Sequence, residues 1–235
     1  IEATPLRRVS GPARVYVFFR RWPILPGSIL TLLLICGAFA SFVAPSDPTA
    51  ANLRDRNIPP AWSEGGSSKY LLGADHQGRD VLSRIIFGAR TTLIVAGVSL
   101  MVGGVVGTVL GMVSGYYGGW VDEIAMRLID IVLSVPLILV ALSVVIVFGQ
   151  STTVLIGILA MNTWSGFARQ SRAEVLQLKN MDYVALAKVT GASTPRILYK
   201  HIFPGVVSTI TVVGTLQVGN IILTEAILSF LGAGI

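Results

Sequence analysis

Few side chains in this sequence have the type and spacing for chemistry. The two histidines, His76 and His201, stand far apart, and no His-Glu-x-x-His pattern gives either one a second metal ligand. Cys36 is the single cysteine and lies inside an apolar run, so it forms neither an intrachain disulfide nor a thiolate site. No glycine precedes any lysine, so the phosphate-cradling Gly-x-x-x-x-Gly-Lys-Ser/Thr loop is absent and this chain is not expected to hydrolyse ATP. No serine has a base placed to activate it. What remains is polar groups in apolar surroundings. Gln217, Asn220 and Glu225 interrupt a hydrophobic stretch, and Gln217 and Glu225, eight apart, share a helix face. A charge at the centre of a membrane helix costs about 2.5–3.5 kcal/mol. Such groups therefore face a bundle interior or a water-filled path. Lining a translocation path is one reading for these three; hydrogen bonding between helices, or a Glu225 at the interface near the surface, is its equal. Arg127 and Asp130, three apart, are expected to pair on one helix face.

The elements that must hold these groups are membrane helices. Of 235 residues, 53% are hydrophobic and 13% charged, and the mean hydropathy is +0.73. A soluble domain carries about 25% charged residues. The net charge of +6 would suit nucleic acid in a soluble protein. Here the basic residues flank apolar runs and orient them instead, so the partner is the lipid bilayer and no nucleic acid is expected. A crossing needs about 20 apolar residues. Five segments approach that: Ile24 to Ala44, Leu93 to Ser114, Ile124 to Phe148, Thr153 to Ala168, and Gly205 to Leu231. Pro136 should kink the third, because it lacks a backbone donor. The first is too long for a signal peptide, and Pro45-Ser46-Asp47-Pro48 is a poor cleavage site.

Positive residues set the direction. Arg7, Arg8, Arg14, Arg20 and Arg21 face one acid, Glu2, in the tail. Arg169, Arg172, Lys179, Lys188, Arg196 and Lys200 face only Glu174 and Asp182 after span four. Both stretches belong in the cytoplasm, and counting spans agrees. The expected organisation is a cytoplasmic tail over 1–22 with an interfacial Arg14 to Trp22 segment, a first span over 23–44, an extracytoplasmic segment over 45–90, and a core over 91–235 containing a cytoplasmic loop at 165–204. The chain starts without Met and stops at Ile235 as span five reaches the outside. Cut ends and a further, sixth span are therefore expected.

Two stretches carry more information. Gly103, Gly107, Gly111 and Gly115 recur every fourth residue, which lines them along one helix face. Lipid supplies no hydrophobic drive for helix association, so close backbone packing must do so, and this face should meet another helix. In the 165–204 loop, Asp182 reads as a helix cap, Tyr183 to Thr190 as about two turns, and Gly191 as a left-handed stop. Thr194-Pro195 starts another helix. A short helix between two turns, with small apolar residues, suits docking into a partner's groove; an ordinary connecting loop is the plain alternative.

Ala185-Leu186-Ala187, then Gly191, then His201-Ile202-Phe203-Pro204 resembles the Glu-Ala-Ala loop of ABC importer permeases in spacing, with Ala187, Gly191 and Pro204 matching in type. Ala185 stands in place of Glu, Leu186 of Ala, His201 of Ile and Phe203 of Leu. Leu72 to Arg84, Gly115 to Asp122, Asp182-Tyr183-Val184, Gly191-Ala192-Ser193 and Glu225 to Gly232 resemble segments of the C-type permease of dipeptide, oligopeptide or nickel importers. The resemblance covers about residues 20–235. It implies an all-α, polytopic transmembrane bundle of the type I ABC importer permease kind in a bacterial inner membrane. It implies a second homologous permease, two ATPase subunits that use ATP and Mg, and an extracytoplasmic solute-binding protein. It implies no cofactor on this chain, and ATPase coupling through Asp182, Tyr183, Ala185, Ala187, Lys188, Gly191, Ala192 and Ser193. A non-transport membrane anchor of an enzyme complex would use the same spans but no docking helix. A channel or proton-coupled carrier would want more intramembrane acids than Glu225.

Overall fold

The computed structural model describes residues 24–232, so the arginine-rich tail, the Arg14 to Trp22 segment and the last three residues lie outside the described residues. Among the described residues there are helices and loops, one isolated antiparallel bridge between Ala74 and Asp80, and no strand. The helices are α1 (Ile24–Ala38), α2 (Ala40–Val43), α3 (Val81–Tyr117), α4 (Gly119–Ser134), α5 (Leu137–Phe148), α6 (Thr152–Leu178), α7 (Asp182–Val189), α8 (Thr194–Ile197) and α9 (Phe203–Phe230). A π-helical turn, Leu198–Ile202, joins α8 to α9, and Thr194–Phe230 behaves as one helix of 37 residues. This is the all-α membrane bundle expected.

The helices do not end where the expected spans do. By length and composition two described helices can cross a membrane, and three if a bent pair counts as one span. α3 starts at Val81, twelve residues before the expected boundary. Its 37 residues rise about 55 Å, well beyond a hydrocarbon core of about 30 Å. The first expected span is broken at Phe39 into α1 and α2. α6 runs on through Leu178, so the first third of the expected loop is helix. Around Pro136 the chain does more than kink: α4 and α5 are bent by 80°. Val135 is extended there, as the residue before a proline prefers to be.

The described residues form two compact units, divided between Leu93 and Ile94. In the first, α1 lies against the start of α3: a methyl group at Gly37 would sit 2.3 Å from Leu93 Cδ1. The loop after α2 is pinned by polar contacts. Ser46 N donates to Ser83 Oγ at 3.0 Å, and Asp80 Oδ2 accepts from Ser83 N at 2.9 Å, capping α3. Asp75 makes a second knot. Its carboxylate accepts from the Gln77 and Arg79 backbones and pairs with Arg79 at 2.9 Å and Arg84 at 2.6 Å. Burial pushes this carboxyl up, but the Arg79 and Gln77 N–H groups and the Arg79 guanidinium outweigh it and hold it well below the usual carboxylate range.

In the second unit the glycine face fixes the packing. Methyl groups built on Gly103, Gly107, Gly111 and Gly115 would lie 2.9, 2.2, 2.3 and 3.0 Å from the backbone oxygens of Ala160, Trp164, Ala168 and Arg172 on α6. Both series climb by four, so α3 and α6 run parallel with their backbones in close approach. α9 runs the other way along α6: Leu178 meets Gly205, Glu174 accepts from Thr209 Oγ1 at 2.9 Å, and Gln217 meets Gly166. The alternation expected from counting spans puts spans two and four in one direction and span five in the other, and these registers have the same sense.

Candidate functional site

The region around α7 is built from local rules. The N-cap is Met181, with extended backbone and no side-chain cap bond, so Asp182 does not cap the helix as expected. It is the first helical residue, where its charge still complements the positive end of the helix. The stop at Gly191 is a Schellman motif. Gly191 N donates to Lys188 O and Ala192 N to Ala187 O, both at 3.0 Å, and Gly191 has φ +81°. Ser193 precedes α8 without a side-chain cap bond, and Pro195 sits in its first turn.

α7 has two faces. Val184 and Ala187 are buried among Met112 of α3, Val175 of α6, and Ile197, Ile202 and Val206 of the α8–α9 run. Lys188 places its ammonium 5.4 Å from the centre of the Tyr116 ring, so a cation–π contact also fixes the helix. On the outer face Tyr183, Leu186 and Val189 recur at intervals of three and are 45%, 64% and 85% exposed. Ala185 and Gly191 are exposed, and Ala192 is half-buried against the apolar cluster. The structure therefore separates the sequence-derived residues. Ala187 holds α7 to its own chain, and Tyr183, Ala185 and Gly191 face outward. Leu186 and Val189, which are not among the expected coupling residues, complete the outward ridge.

The polar groups of the spans fall differently. Gln217 lies against Gly166 of α6 and accepts from Asn220 Nδ2 at 3.1 Å. Glu225 is half-buried two turns further along α9. Arg127 and Asp130 do not pair. Arg127 approaches Glu123 at 3.9 Å, the Glu-to-Arg i,i+4 order that a helix favours, and Asp130 pairs with Arg169 of α6 at 2.6 Å. A second bridge went unread in the sequence. Arg172 holds Asp122 with both guanidinium arms at 2.5 Å, and Lys179 donates to Gly115 O at 2.8 Å. The partners are 50 and 64 residues apart, and no local pattern connects them.

These features can be set beside known proteins. The family model described as "Binding-protein-dependent transport system inner membrane component" matches residues 107–235, which include Gly107, Gly111 and Gly115 of the glycine face, α7 and α9. The chain belongs to this family. The dipeptide transport system permease protein of Haemophilus influenzae is 39% identical over 89% of this chain and 72% of its own length. The glutathione transport system permease protein of Pectobacterium atrosepticum is 39% identical over 92% and 71%. The oligopeptide transport system permease protein of Bacillus subtilis is 35% identical over 88% and 66%. This chain is thus a permease subunit of the ABC transport kind, a multi-pass inner-membrane component of a multi-subunit system and not its catalytic part.

Proposed function

We propose that this permease subunit forms part of the path for peptides or related small solutes and takes its drive from ATPase partners through α7. One observation supports the coupling most: α7 is fastened to its own bundle by Val184 and Ala187 yet offers Tyr183, Leu186 and Val189 outward. A helix that is rigidly held and apolar on its free face is a helix-in-groove ligand. Under this reading two ATPase subunits use ATP and Mg, a second homologous permease completes the path, and an extracytoplasmic binding protein delivers solute toward the 45–90 side. The N-terminus lies in the cytoplasm. Gln217, Asn220 and Glu225 line or brace the path. The relatives named for dipeptide, oligopeptide and glutathione transport support the solute class.

The test replaces Leu186 and Val189 with Asp, singly and together, in the assembled complex. Expected is loss of the ATPase subunits on purification and loss of ATP-driven uptake in vesicles, with membrane insertion unchanged. Full retention of both would remove α7 as the coupling element and favour a membrane anchor. Binding of dipeptides, longer peptides, glutathione and nickel chelates to the extracytoplasmic partner decides the solute.

A further inference from the structure

The outer face of α7 is not only apolar. A hollow of about 560 Å³ opens beside it, walled by Tyr183, Leu186 and Thr190 on one side and by Arg196, Lys200 and His201 on the other. Arg196 and Lys200 are exposed and lie one turn apart on the run that leads into α9. Among the described residues no acidic side chain lines the hollow. Between residues 175 and 205 the sequence has four Lys or Arg against one acid, Asp182. The chain treats its neighbouring cations differently. Arg169 and Arg172 of α6 are each matched by an aspartate of α4, and Lys179 donates to Gly115 O, whereas among the described residues neither Arg196 nor Lys200 has an ion pair.

We infer that this basic hollow receives carboxylate side chains of the ATPase partner, which set the register in which that partner meets α7. The inference rests on the docking reading above and adds the chemistry of the partner's surface. Two features favour a protein over anionic lipid. The cations wall a concavity instead of a flat rim, and they adjoin an apolar ridge, the arrangement of an interface with a desolvated centre and a charged border. Border charges act chiefly on orientation and association rate, and salt screens them. Arg196 offers a planar fork suited to a carboxylate, and Lys200 a point charge beside it.

The experiment uses the permease co-expressed with the ATPase subunits of its own system. The complex is purified in uncharged detergent and, separately, in nanodiscs of neutral or anionic lipid. Expected is that R196E/K200E retains at least ten-fold less ATPase than wild type at 100 mM NaCl in every one of these media. The difference should shrink several-fold at 500 mM NaCl, where Coulomb attraction is largely screened. R196Q/K200Q should fall between, and Leu186→Asp should lose the ATPase at both salt concentrations. Wild-type retention by R196E/K200E in detergent, with Leu186→Asp still losing the ATPase, overturns the charge inference and leaves the docking reading standing. A defect confined to anionic nanodiscs also overturns it and assigns the hollow to lipid headgroups. Wild-type retention by both variants removes the docking reading itself.

Discussion

Alanine substitution along the α3 glycine face gives a graded test of the packing. A methyl group at Gly107 would lie 2.2 Å from Trp164 O, and one at Gly111 2.3 Å from Ala168 O. A carbon and a carbonyl oxygen come no closer than about 3.3 Å, so α3 and α6 must part by about 1 Å at these points. The obstacle is backbone, which no rotamer change can clear, and such overpacking costs about 1–3 kcal/mol. Alanine also returns about 0.8–1.0 kcal/mol of helix propensity. Gly97 supplies the control: it lies on the same helix and a methyl group there meets nothing within 4 Å. Gly97→Ala should therefore stabilise by up to about 1 kcal/mol. The propensity gain cancels in the comparison, so Gly107→Ala and Gly111→Ala should each fall about 1–3 kcal/mol below Gly97→Ala. Gly103→Ala and Gly115→Ala, at 2.9 and 3.0 Å, should lie between. The assay is unfolding of the purified full chain in one detergent, with all five variants in parallel. Equal stability of Gly107→Ala and Gly97→Ala would refute the α3–α6 register.

Other outcomes follow from single contacts. A double-mutant cycle on Asp122 and Arg172, a half-buried two-armed pair, should return about 0.5–3 kcal/mol of coupling, against less than about 1 kcal/mol for the more exposed Asp130 and Arg169. Gly191→Ala should insert normally but fray the end of α7, since left-handed backbone costs an L-residue about 1–2 kcal/mol; faster amide exchange at Gly191 and Ala192 checks it. Ala187→Asp should disrupt the bundle while Leu186→Asp leaves it folded, separated by size exclusion of the solubilised chain. The depressed Asp75 carboxyl contributes stability that is complete above the unfolded value near pH ~3.9 and is lost as pH falls below it. Protection of the Gln77 and Arg79 amides, taken against the free-peptide exchange rate at the same pH, should fall on acidification below that value in wild type, and Asp75→Asn should show low protection at every pH.

The legible part of this molecule is the part written in local periodicity. Four glycines at intervals of four define a face whatever meets it, and Gly191 after a run of Ala and Leu marks a left-handed stop whatever the helix touches. Helix ends within a continuous helix are not local in this way. α6 carries its apolar stretch straight into Arg169, Arg172 and Glu174 without a break, because acids on α4 and a threonine on α9 meet those charges. Hydropathy ends the span where polarity begins, but the backbone has no reason to stop there. The same partners defeat the Arg127–Asp130 reading: spacing proposes a pair, and the neighbouring helix offers Asp130 a better one. The two faces of α7 are likewise beyond the sequence. Ala185, Leu186 and Ala187 are consecutive, and only the position of the bundle decides that Ala187 turns in.

The way α7 is fastened also constrains how force could pass through it. Its buried residues share one apolar cluster with side chains from α3, α6 and the start of α9. Lifting α7 away would expose Val184 and uncover Val175, Ile197 and Ile202, each costing about 1.5–3 kcal/mol. Sliding α3 against α6 is opposed as well, because each glycine of one seats on a backbone carbonyl of the other. A push on the outer ridge of α7 is therefore met with least resistance when α3, α6 and the start of α9 move as one body. The helices change direction elsewhere, at the paired positive-φ glycines Gly118 and Gly119 and at the 80° break around Pro136. On the proposed reading, the stroke delivered to α7 is then carried by this packed body as a unit, together with α4, which Asp122 and Asp130 bridge to α6.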